Sequence, residues 1–137
     1  MKTKANTTFL TVFFSLLFSL NLLAQSHQVK PVSNENSVEV QVYYFHFKTR
    51  CETCRTVESE AKQNVESLFG GDVGFQSVDL DEKSGEATGK KLGVNSQTLL
   101  IVKGNKKINI TNEGFLYAQT NPDKFKKIME DKIKPLL

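Results

Sequence analysis

Only two cysteines, Cys51 and Cys54, occur in the 137 residues, so a scaffold held by several disulfides is excluded. A closed structural zinc site is short of ligands too. It wants four, and His46 is the one histidine in the folded region to add to the two cysteines. Nor is there a surplus of charge. Eighteen Lys and Arg stand against fifteen Asp and Glu, and two of the lysines lie in the first 24 residues, which hold no acid. The rest is close to neutral, which removes the electrostatic case for binding nucleic acid or an anionic membrane. No apolar run reaches the ~20 residues of a typical spanning helix. Internal repeats and low-complexity segments are absent as well, so the pattern is that of one ordinary domain.

What is present begins with Lys2 and Lys4, an apolar run from Phe9 to Leu23, and the small residue Ala24. Basic, apolar and small in that order is the pattern of a secretory signal peptide, here residues 1–24. No cysteine near Ala24 offers a site for lipid attachment. Residues 25–36 have no periodicity and read as a flexible lead-in. A single domain is expected over residues 37–137, exported to the periplasm or secreted.

From Ser37 the chain alternates through Val38, Val40 and Val42, then runs apolar from Tyr43 to Phe47. That describes a strand half-exposed at its start and buried on both faces at its end. Thr49 is the expected cap of a helix starting near Cys51, with Cys54, Val57, Ala61, Val65 and Leu68 on one face and Gly70-Gly71 at its end. Arg55, Glu58, Glu60, Lys62 and Glu66 fall mostly outside that face. Val73–Leu80 reads as a second strand, Ser84–Leu92 as a short helix, Thr98–Val102 as a third strand and Lys107–Thr111 as a fourth. The Gly104-Asn105 turn makes the last two a hairpin. Asn121-Pro122 then opens a last helix buried through Phe125, Ile128, Met129 and Ile133. The order β-α-β-α-β-β-α predicts parallel pairing in both strand–helix–strand steps and an antiparallel edge. Asp79, Asp81 and Glu82 match no EF-hand spacing and read as a strand-end turn.

Cys51 and Cys54 would close too small a loop to serve mainly as a staple. A sulfur at a helix N-terminus faces free backbone N–H groups and the positive end of the dipole, which favour thiolate over thiol. Cys51, outermost, is the expected nucleophile. Cys54, one turn in on the apolar stripe, is the expected resolving thiol. Arg50 and Arg55 flank the pair and favour the anion, while Glu52, with Thr53 between the cysteines, opposes them. A thiophilic metal ion or metalloid held by Cys51, Cys54 and His46 is the alternative, and a binding domain without redox chemistry is a third reading. Tyr43 and Tyr44 read as core and sheet-surface residues.

The Cys51-Glu52-Thr53-Cys54 box after a buried strand, the Val78-Asp79-Leu80-Asp81 strand end, and Lys91-Leu92-Gly93-Val94 leading into Thr98–Val102 together resemble the thioredoxin superfamily. The resemblance spans roughly residues 37–134. It implies a three-layer α/β fold around a central mixed sheet, and thiol–disulfide exchange with a protein partner. It also implies recharging by a membrane thiol-reductant transporter. The dithiol itself carries the electrons, so no cofactor is expected, and the domain is expected to be a monomer. Three features depart from the family pattern. Arg50 stands where a tryptophan usually precedes the first cysteine. Six residues before Cys51, Phe45 replaces the buried acid that accepts the proton of the second cysteine. Gln97 replaces the cis-proline before Thr98, so a trans loop is expected there.

Overall fold

The computed structural model describes residues 39–137, so the expected signal peptide, the expected lead-in and the first residues of the expected domain lie outside the described residues. Strand β1 (Val40–His46) is central, and its composition explains why. Val40, Val42 and Tyr44 face one side and Tyr43 and Phe45 the other, with burial complete on both faces from Tyr44 to His46. Helix α1 (Glu52–Phe69) follows, then β2 (Val73–Asp79), α2 (Lys83–Leu92), β3 (Thr98–Lys103) and β4 (Lys106–Asn109). Two helices close the chain, α3 (Thr111–Tyr117) and α4 (Pro122–Ile133), with a 3-10 turn at Lys134–Leu136. The sheet order is β2-β1-β3-β4, with β1 parallel to β2 and the other two pairings antiparallel.

Three layers result. On one face, Val40, Val42 and Tyr44 pack with Leu99 and Ile101 of β3, Val57, Ala61 and Val65 of α1, and Phe125, Met129 and Ile133 of α4. On the other, Phe45, Val78, Leu100 and Val102 are covered by Leu80, Leu92 and Val94 around α2. Strand β3 is buried from Thr98 to Val102 because it supplies both layers. The fold is thioredoxin-like, with the mixed sheet between helical layers. Among the described residues no helix is long and apolar enough to cross a membrane.

Two expectations are corrected. The second strand–helix–strand step does not give a parallel pair. Strand β2 ends with Asp79 beside His46, and β3 begins with Thr98 opposite Phe45, so both lie at the C-terminal end of β1. Residues 80–97 therefore return the chain to the end it left, and β3 runs backwards. The last strand also stops two residues early, at Asn109. The Asn109 side-chain oxygen accepts from Thr111 N (2.9 Å) and Thr111 Oγ1 (2.6 Å), turning the chain into α3. That helix is short and carries Gly114, whose missing Cβ lets it approach Val57. An added Cβ would sit 3.0 Å from Val57 Cγ1.

Gly85 is held in a tighter place. A Cβ there would fall 1.8 Å from the Asp79 carbonyl oxygen, so α2 rests its backbone on the end of β2. Gly85→Ala is expected to destabilise the domain by roughly 1–3 kcal/mol, as overpacking against backbone does. Gly71→Ala, with nothing within 4 Å of the new Cβ, serves as the control. Urea unfolding checks both, Gly85→Ala by a lower midpoint at unchanged slope and Gly71→Ala by a midpoint near wild type.

Candidate functional site

The site lies where β1 hands over to α1. After His46 the chain is steadied by Lys48 N, which donates to Asp81 Oδ2 at 2.8 Å. Asp79 Oδ1 accepts from Asp81 N at 2.9 Å, so these acids cap a strand-end turn as the spacing predicts. The helix cap differs from expectation. Cys51 itself is the N-cap rather than Thr49, with an extended backbone, and its sulfur accepts from Cys54 N at 3.2 Å. A sulfur thus sits where a capping oxygen usually does, against the first free N–H groups of α1.

Cys51 and Cys54 form a disulfide, with Cα atoms 5.1 Å apart. Cys51 is exposed and Cys54 only 6 % so. The cysteine at the helix start is open to solvent and the one a turn further in is covered. Attack from outside can reach Cys51 and not Cys54, which is the asymmetry a nucleophilic and a resolving thiol require.

The residues around the pair divide. The guanidinium of Arg50 pairs with the carboxylate of Glu58, one turn beyond Cys54, and its charge is shared with that acid. Arg55 and Glu52 are exposed. Thr53 Oγ1 lies 3.4 Å from Gln119 Oε1, tying the start of α1 to the chain after α3. His46 is buried, its Nε2 2.9 Å from Ser77 Oγ and its Nδ1 3.1 Å from the Phe47 carbonyl. Both ring nitrogens are thus engaged away from the sulfurs. Among the described residues, no three His, Cys, Asp or Glu side chains converge as metal ligands.

Gln97, at the position before Thr98, reaches into the protein. Its Nε2 donates to the Tyr44 hydroxyl, which donates to the Cys54 carbonyl at 2.8 Å. Among the described residues every peptide bond is trans, this loop included. Burial pushes the Tyr44 phenol above its ordinary value and Glu58 adds to this, while the Gln97 hydrogen bond and Arg50 act against it. Tyr44 therefore keeps its proton through the range in which thiols ordinarily titrate.

Tyr44 and Glu58 are the two residues that reading the sequence missed. Counting back six from Cys51 reaches Phe45, but Phe45 packs in the opposite layer with Val78 and Leu100. The strand residue under Cys54 is Tyr44, one position earlier. The alternation Val40, Val42, Tyr44 carries that signal. Glu58, expected on the outer face, is half-buried between Arg50 and Ser77, whose hydroxyl donates to it. No periodicity announces this, because its partners come from the loop and from β2.

These features define a thioredoxin-fold domain whose Cys-x-x-Cys disulfide opens the first helix. No protein-family model and no curated protein matches the chain. Solved structures do. A malarial protein is 27 % identical over 50 % of this chain and 74 % of its own, with a TM-score of 0.41. Thioredoxin from Trypanosoma brucei brucei is 22 % identical over 72 % of this chain and 78 % of its own, at 0.45. A thioredoxin-like protein from Clostridium perfringens is 16 % identical over 76 % of this chain and 92 % of its own, at 0.41.

Proposed function

We propose that this protein is an exported thiol–disulfide oxidoreductase or redox relay acting on protein partners. In the reducing direction the Cys51 thiolate attacks a partner disulfide, forming a Cys51–partner bond and releasing one partner thiolate. Cys54, as thiolate, then attacks the Cys51 sulfur, releases the second partner sulfur and closes the Cys51–Cys54 bond. Two electrons pass to the partner and solvent supplies its protons. The reverse sequence oxidises a partner dithiol. The dithiol carries the electrons, so no further cofactor enters. Export rests on the basic–apolar–small order of residues 1–24, and the oxidising compartment it implies lets the disulfide persist. A membrane thiol-reductant transporter is the recharging partner this reading suggests.

The observation that carries the proposal is the unequal exposure of two bonded cysteines at a helix start. Its test is catalysis. Catalytic amounts of the protein are expected to accelerate reduction of an interchain protein disulfide by dithiothreitol, with turnover exceeding one per molecule. A rate equal to that of dithiothreitol alone contradicts the proposal.

A further inference from the structure

The dithiol steps leave Tyr44 and Gln97 unused, although both are tied to Cys54. A phenol has one proton. In Tyr44 it goes to the Cys54 carbonyl, so the phenol oxygen is left as an acceptor, and the Gln97 amide N–H occupies it. The chain of bonds has one direction, from the loop before β3, through the central strand, into the first turn of α1.

That first turn holds Cys54 between two contacts. Its carbonyl is anchored by Tyr44, and its N–H points at Cys51 Sγ from 3.2 Å. A hydrogen bond to an ionised acceptor is roughly twice as strong as one to a neutral acceptor. The N–H therefore interacts more strongly with a Cys51 thiolate than with the same sulfur in a disulfide. Holding the turn in place favours the reduced state. Tyr44 is fully buried on β1 and Gln97 half-buried, so the anchor is set in the rigid sheet rather than in the loop around the sulfurs.

We propose that Tyr44 and Gln97 are positioning residues that set the redox equilibrium of the Cys51–Cys54 pair. By fixing the first turn of α1 with Cys54 N–H aimed at Cys51, they stabilise the dithiol with Cys51 ionised relative to the disulfide. The inference rests on the redox reading above and deepens it. The reaction that measures it balances as protein disulfide plus two glutathione thiols giving protein dithiol plus glutathione disulfide.

Two variants separate this role from simple packing. Tyr44→Phe keeps the ring and removes the donor. Gln97→Glu keeps the side-chain shape and replaces the amide N–H with an acceptor, so the carboxylate and the Cys54 carbonyl compete for one tyrosine proton. Each protein is equilibrated with mixtures of reduced and oxidised glutathione, quenched in acid, and its free thiols counted by mass spectrometry. Both variants are expected to shift the equilibrium toward disulfide by about threefold to tenfold, the scale of one hydrogen bond. A tenfold shift is a potential about 30 mV lower for this two-electron couple. In both, the pH at which Cys51 alkylation reaches half its maximal rate is expected to rise. A wild-type equilibrium constant in either variant, or a shift toward dithiol, overturns the proposal. Glutathione reports on the pair alone, while the protein-disulfide assay reports on function. A protein that turns over in that assay but whose variants stay unshifted loses this inference and keeps its function. One that fails the assay with shifted variants does the opposite.

Discussion

Cys51→Ser is expected to abolish disulfide exchange, a loss of roughly a thousandfold or more, the scale on which removing a nucleophile acts. Serine keeps the capping geometry and removes the nucleophile, because a hydroxyl is not ionised where a thiol at a helix start is. Cys54→Ser is expected to behave differently. Cys51 remains exposed and still attacks, but no sulfur stands behind it to release the partner. The product is a stable mixed disulfide, visible as a band that shifts on a non-reducing gel and collapses with reductant. The two variants thus fail at different steps. Equal loss of both steps in Cys54→Ser would place the attacking sulfur on the wrong residue.

Phe125→Ala is expected to cost about 3–5 kcal/mol, the range for truncating a fully buried aromatic residue. Phe125 has no exposure and belongs to the cluster that joins α1, α4, β3 and Ile110. The space it vacates is bounded by the sheet on one side and by Gly114 of α3 on the other, where a Cβ would already lie 3.7 Å from Phe125 Cε2. Both walls are backbone-anchored, so the cavity closes poorly. Against a total of roughly 5–15 kcal/mol for a domain this size, the loss is a large share of the whole. Thermal unfolding should move down by roughly 4–8 °C per kcal/mol, read at the transition midpoint. A change below about 1 kcal/mol would mean that α4 is not docked on the sheet as described.

Most of the architecture was legible in the chain because its signals are local. The stripe through Val57, Ala61 and Val65, the buried run at Thr98–Val102, and Asn121 as cap are each set by periodicity or by one side chain. Asn121 Oδ1 accepts from Lys124 N at 3.1 Å, as a cap should. Ile128 is only half-buried, at the margin of the α4 stripe. What was not legible depends on groups distant in sequence. The reversal of β3 follows from where residues 80–97 return to the sheet. Helix α3 buries only the small residue Gly114 within its span, and starts because Thr111 donates twice to the Asn109 side-chain oxygen next to β3, where Leu99 N donates to Thr111 Oγ1 at 2.9 Å.

The site divides the same way. The cysteine spacing and its place after a buried strand point to the pair proposed to carry the chemistry, since both are properties of neighbouring positions. Serine, threonine and aspartate are the usual caps, so composition points to Thr49 and carries no signal for a cysteine in that role. Arg50, placed beside Cys51 by sequence, spends its charge on Glu58, eight residues on. Gln97 was singled out for the proline it replaces. Its contact with Tyr44 joins positions 53 residues apart, beyond any local pattern.

The proposed chemistry needs an accessible sulfur that exchanges and a sheltered one that follows it. A redox titration with pulse alkylation measures both at once. The protein is poised across glutathione or dithiothreitol buffers, alkylated briefly, and each cysteine quantified by mass spectrometry. A single two-electron transition is expected, in which Cys51 and Cys54 convert together, with Cys51 alkylated faster than Cys54 throughout the reduced limb. A pair that stays closed in every buffer, or a reduced form in which Cys54 reacts first, would contradict it.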